Sequence, residues 1–142
     1  LASFAFFAVQ YTLISGDTMQ AVIAIAAFGA AGCLARYYIS IWVHDSFGRA
    51  FPYGTLCVNI VGAFLIGFVM EFAIKSTHLS PTLRTGITIG FLGGLTTFST
   101  FSYETFRLLE DGKFFIAAGN VLVSILLCLA FTWLGIAAVR AL

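Results

Sequence analysis

Long apolar runs alternate along the chain with short polar stretches, and the runs approach or exceed the roughly 20 residues that a helix needs to cross a bilayer. After the break Ser15-Gly16-Asp17, a first run covers about residues 19–43, rich in Ala and Ile, with Arg36 toward its end. The polar and aromatic stretch 44–53, containing Asp45, Arg49 and Pro52, closes it. A second run covers about residues 54–74, and a loop over 75–81 ends in Ser80-Pro81, a helix-start signal. The third run differs from the others. Residues 83–92 read as a short helix, Gly93-Gly94-Leu95-Thr96-Thr97 interrupts it, and 98–109 resumes a helical pattern. Paired glycines beside two β-branched threonines are poor helix formers, so the pattern predicts a break there. The charged stretch 107–113 ends this run, and 114–139 supplies a fourth. The pattern predicts an all-α integral membrane protein: one domain over 19–142 with four transmembrane helices, the third broken at its centre. Residues 1–18 stand apart as an N-terminal segment, whose apolar run over 1–15 lacks the preceding Lys or Arg of a signal peptide and reads as the remainder of a longer segment.

Composition agrees with the bilayer as solvent. Only 9% of the 142 residues are charged, 61% are hydrophobic and the mean hydropathy is +1.03, whereas a soluble domain carries roughly 25% charged residues to clothe its surface. A net charge of +1 leaves no basic patch for nucleic acid and no polybasic tail for anionic lipid. Cys33, Cys57 and Cys128 lie within apolar runs without CxxC spacing, and read as packing residues rather than metal ligands or disulfides. With no HExxH, phosphate loop or carboxylate pair at membrane depth, nothing resembles an enzyme.

The charges carry a topological clue. If the loops alternate sides, one side holds Arg36, Arg49, Arg107 and Lys113, and the other holds Lys75, Arg84 and Arg140. Orientation is normally set by a Lys and Arg excess on the cytoplasmic side, so this near balance predicts insertion in both orientations and pairing of opposed copies in an antiparallel homodimer. Four spans leave little room for a hydrophilic path within one chain. Ala27, Ala31 and Ala35, and likewise Ala63 and Gly67, repeat at the four-residue spacing of close membrane-helix contacts, a pattern that any alanine-rich span also produces.

The broken segment is the leading candidate for chemistry, because unpaired backbone at membrane depth is tolerated only where protein buries it or a wet cavity meets it. Carbonyls around residues 93–96 would suit a cation, and the N-terminus of the following half-helix an anion. Phe98 and Phe101 share one face, with Ser99 and Ser102 on an adjacent one. Ring edges carry partial positive charge and suit a small anion without trapping it, although phenylalanine stripes more often face lipid or core. Asn120, Ser124, Cys128 and Thr132 form a stripe on the fourth span, read either as a wet wall or as groups bonded within and between helices. Asn59 is an amide that must find partners inside the protein, whether as an anion donor or as structural glue. Arg36 reads first as a snorkelling side chain, while Glu71 and Glu104 lie near segment ends.

The run Gly93-Gly94-Leu95-Thr96-Thr97-Phe98-Ser99-Thr100-Phe101-Ser102 resembles the central motif of the Fluc (CrcB) family of fluoride ion channels. Residues 29–37 and 54–62 resemble that family's first- and second-helix patterns, and the similarity covers about residues 21–140. The resemblance implies a passive fluoride exporter of the cell (inner) membrane, multi-pass, built as an antiparallel dual-topology homodimer with two pores. It places Asn59, Phe98, Phe101, Ser124, Thr55, Ser99 and Thr100 on the fluoride pathway and Arg36 at a vestibule. It also implies a structural sodium ion held by the backbone carbonyls of Gly93 and Thr96 at the dimer interface, with no organic cofactor. Cys128 departs from the family pattern where a hydroxyl is usual, and Ala30 and Cys33 depart from it where glycine and alanine are usual. Two other readings fit four short spans: a small dual-topology multidrug transporter, which would need an acidic residue deep in its first helix, and a noncatalytic scaffold.

Overall fold

The computed structural model describes residues 17–75 and 79–142, so most of the N-terminal segment 1–18, and positions 76–78 of the second loop, lie outside the described residues. Among those described, the architecture is entirely helical. Helix α1, Asp17–Phe47, has 31 residues; α2, Tyr53–Lys75, has 23; and the last helix, Phe114–Arg140, has 27. At 1.5 Å per residue these are about 46, 35 and 40 Å long, more than a hydrocarbon core of about 30 Å. All three are apolar enough to cross a membrane.

Between them the chain forms two shorter rods. Helix α3 runs through Pro81–Thr85, a wide π-helical stretch Gly86–Phe91 and a final turn Leu92–Leu95. Helix α4 is Phe98–Glu110, and the last helix is α5. At about 22 and 20 Å, neither α3 nor α4 spans the core alone.

The sequence signals account for the ends. Ser80 caps α3, its Oγ accepting from the Leu83 N–H, with Pro81 at the first helical position. Helix α1 continues four residues past the predicted end and stops at Gly48, whose φ of +80° an L side chain rarely adopts. His44 lies in that added turn, its Nδ1 2.7 Å from the Ser40 carbonyl, which lets a polar residue remain helical.

The break is narrower than the sequence predicts. Gly93 and Gly94 are still helical, and only Thr96 (φ −85°, ψ 158°) and Thr97 (φ −153°, ψ 118°) are extended. Gly94 has a different purpose, close packing of α3 on α1: a Cβ on it would stand 2.6 Å from the Gly29 carbonyl oxygen, and one on Gly32 would meet the Phe91 carbonyl. Helices α2 and α5 approach in the same way, with Gly135 against the Phe64 carbonyl and Gly67 against that of Thr132. Gly67 therefore spends its small size within the chain, whereas Ala27 and Ala31 remain exposed.

Beneath the break, Val58, Leu92 and Leu95 are buried together, with Ala35, Ile39, Leu65 and Ile66 packed around them. Outside, Tyr38, Trp42, Leu126, Leu129 and Trp133 are exposed, as suits a chain whose solvent is lipid. The ends carry the ion pairs. Arg140 meets Glu71 at 2.8 Å at one, where Lys75 also donates to the Val139 carbonyl; Arg107 pairs with Glu110 and Lys113 with Asp111 around the α4–α5 turn.

Candidate functional site

At Thr96 and Thr97, three of the four backbone polar groups leave the helical ladder, and each of the three finds a side-chain partner. The Thr96 N–H closes the last turn of α3 on the Leu92 carbonyl at 3.0 Å. The Thr96 carbonyl accepts from Arg36 Nη1 at 3.2 Å. The Thr97 N–H donates to Asn59 Oδ1 at 2.8 Å, and the Thr97 carbonyl accepts from Asn59 Nδ2 at 3.1 Å. The carboxamide thus pairs with Thr97 as a neighbouring strand would, so α1 and α2 each contribute one side chain to hold the unwound residues. This satisfaction makes an irregular backbone tolerable away from water. Thr97 then caps α4, its Oγ1 accepting from the Thr100 N–H at 3.1 Å.

Two concavities meet at this point. One, of about 520 Å³, is lined by Arg36, Tyr37, His44, Arg49, Thr55 and Thr100. The other, a groove of about 480 Å³, is lined by Asn59, Thr96, Phe98, Phe101, Ser124 and Cys128. Thr97 lines both, and so stands where a path between them would pass.

The groove gathers most of the residues singled out from the sequence. Phe98 and Phe101 have ring centroids 5.5 Å apart and planes inclined at 43°, and Phe98 is 78% exposed, turned away from its own chain's core. Gly93 borders the groove on an exposed position, with open space where a side chain would stand. Thr55 and Thr100 lie on the other side of the break, with Arg36, whereas Ser99 lines neither concavity and its hydroxyl lies 3.2 Å from Thr97 Oγ1. Asn59 serves as glue, yet its NH₂ has a second N–H beyond the one given to Thr97.

The stripe on α5 divides between its two readings. Ser124, Cys128 and Thr132 face the groove, while the Thr132 hydroxyl also donates to the Cys128 carbonyl. Asn120 is buried and donates to Thr105 Oγ1 at 2.8 Å, tying α5 to α4; Ser124 Oγ donates to Asn120 Oδ1 at 3.4 Å. Thr105 escapes a reading by sequence, because it looks like an ordinary helix-face hydroxyl until its partner, 15 positions away, is known. Glu104 borders a third cavity of about 200 Å³ with Arg49, Arg107 and Lys113, and its Oε2 is buried without a hydrogen-bond partner.

Among the described residues, no group of three His, Cys, Asp or Glu side chains stands ready for a metal ion. The carbonyl oxygens at the C-terminal, partially negative end of α3 are a different donor set, suited to a hard monovalent cation. The Gly93 carbonyl is one of them, since the Thr97 N–H that would continue the helix onto it goes to Asn59 instead. The Thr96 carbonyl is the other; it has two lone pairs and gives one to Arg36.

The sequence pattern of the family described as "CrcB-like protein, Camphor Resistance (CrcB)" matches residues 23–136. A protein of Geotalea daltonii named "Fluoride-specific ion channel FluC" is 72% identical over 122 residues, covering 86% of this chain and 98% of the relative. Proteins of the same name from Geotalea uraniireducens and Geobacter sulfurreducens are 68% and 62% identical, each over 87% of this chain and the whole of the relative.

Proposed function

The chain belongs to the CrcB family, and on that premise we propose that it is a fluoride-selective channel, letting fluoride leave the cell passively across the inner membrane. It is not an enzyme: its relatives are named for ion conduction. The observation that carries the reading is the convergence of Asn59, Phe98, Phe101 and Ser124 on one groove beside a broken helix. A small anion leaving water there exchanges its hydration shell for hydroxyl and amide N–H donors and for ring edges. None of these is a full cation that would hold it too tightly to leave.

The groove opens on the surface, and Phe98 projects from it, so the pathway is completed by a second copy. Near-balanced charge at the two ends favours an antiparallel partner. In this arrangement α3 and α4 together make the fourth crossing, and the Gly93 and Thr96 carbonyls are the groups that would hold a structural sodium ion. Bound there, the ion would supply fixed positive charge beside the broken helix. No carboxylate lies between Asp17 and Asp45 in α1, so the deep acid that a proton-coupled drug transporter needs is missing.

The reading is tested in cells. Expressed in a bacterium lacking its own fluoride exporter, the chain should restore growth on fluoride medium. Absence of rescue by membrane-inserted protein would count against export.

A further inference from the structure

Among the described hydroxyls that line the groove, all but one have spent their proton on a short bond. Thr88, Thr96 and Thr132 each donate to the carbonyl four positions back in the chain at 2.9 Å, and Thr97 donates to Thr100 Oγ1 at 3.0 Å. Ser124 holds its proton loosely. Its Oγ donates to the side-chain Oδ1 of Asn120 at 3.4 Å, well beyond the roughly 2.8 Å usual for a hydroxyl donor and an oxygen acceptor. The direction of that bond is set on α4. Thr105 gives its proton to the Phe101 carbonyl at 2.7 Å, so its oxygen can only accept from Asn120 Nδ2, at 2.8 Å. This fixes which way round the amide stands and turns its acceptor-only oxygen toward Ser124. Asn120 itself is buried behind the groove and does not line it.

We propose that Asn120 is a positioning residue for the ion path: it keeps the Ser124 hydroxyl on a long bond to a side chain, so that this proton can swing to a passing anion. A hydrogen bond to an ion is about twice as strong as one between neutral groups, so fluoride displaces the amide oxygen. The amide loses only a weak partner, and the proton returns to it when the ion moves on. Without Asn120, Ser124 would turn onto the backbone carbonyl of residue 120, as Thr132 does onto that of Cys128, and its proton would be spent like the others. The role, which rests on the fluoride reading above, belongs to a residue that the ion does not touch.

The test is a double-mutant cycle on fluoride efflux from liposomes, with a thermal transition in detergent showing that each full-length protein is folded. Asn120→Leu should slow efflux about tenfold, the cost of freeing one hydroxyl proton from a backbone carbonyl. Ser124→Ala should slow it more. In that background Asn120→Leu should change the rate by no more than about twofold, because no hydroxyl is left to position. An asparagine that only ties α5 to α4 would slow both backgrounds equally. Should Asn120→Leu not yield folded protein, Thr105→Val takes its place in the cycle, since it removes the acceptor that orients the amide; its effect should likewise vanish in the Ser124→Ala background. Thr105→Ser keeps that oxygen and should conduct as the wild type does. Equal slowing in the two backgrounds, or slowing in neither, overturns the positioning role and leaves the fluoride reading standing. Folded wild-type protein that passes no fluoride overturns both.

Discussion

Replacing Asn59 with aspartate should abolish fluoride efflux and destabilise the protein together. The amide answers both polar groups of Thr97, accepting from the N–H at 2.8 Å and donating to the carbonyl at 3.1 Å. A carboxylate keeps the first bond and turns the second into a repulsion between two oxygens, away from water. Losing that donor and leaving its partner unpaired costs about 3 kcal/mol of stability, by the usual penalty for breaking a buried polar pair. The same change sets a negative charge on the groove. Loss of one donor to the anion, at about 3 kcal/mol, slows passage about 100-fold, and the like charge slows it further. Efflux from liposomes and the Tm in detergent measure the two effects. Wild-type efflux from a stable Asn59→Asp variant would remove Asn59 from both roles.

Phe98→Ile separates transport from folding. Phe98 is 78% exposed and contributes little to its own chain's core, so the Tm and the elution position on size-exclusion chromatography should change little. Efflux should fall on the order of 100-fold, because an isoleucine offers an anion no positive ring edge and a dry passage leaves the lost partner unreplaced. Unaltered efflux would assign Phe98 to lipid or subunit packing.

Much of this molecule is legible in its sequence because a bilayer leaves few options. Apolar runs set the long helices, Ser80-Pro81 sets the start of α3, and Thr96-Thr97 marks the break. What the sequence misses is set by partners far along the chain. Gly93 and Gly94 look like helix breakers, but Gly94 is held helical by packing against Gly29 and Cys33 of α1. Arg36 fits a snorkelling side chain until its carbonyl partner, 60 positions away, turns it inward. The π-helical stretch Gly86–Phe91 has no local signature; Gly86 and Gly90 pass close to Phe28 and Ile25, a proximity that only the folded chain reveals. The α5 stripe shows the same limit, because period alone places Asn120 and Ser124 on one face but not Thr105 opposite them.

The relation between the groove and the break explains why so few polar residues suffice. Asn59 holds the unwound Thr97 and lines the groove beside it, so in the proposed channel the group that satisfies the fold also faces the ion's surface. The remaining helices can then stay apolar, which the 9% charged content requires.

Selectivity for fluoride is tested most directly with ion-selective electrodes beside liposomes loaded with equal fluoride and chloride. With valinomycin carrying the balancing potassium, protein-containing vesicles should release nearly all their fluoride rapidly and retain their chloride. Equal release of both anions, or retention of both, would contradict it.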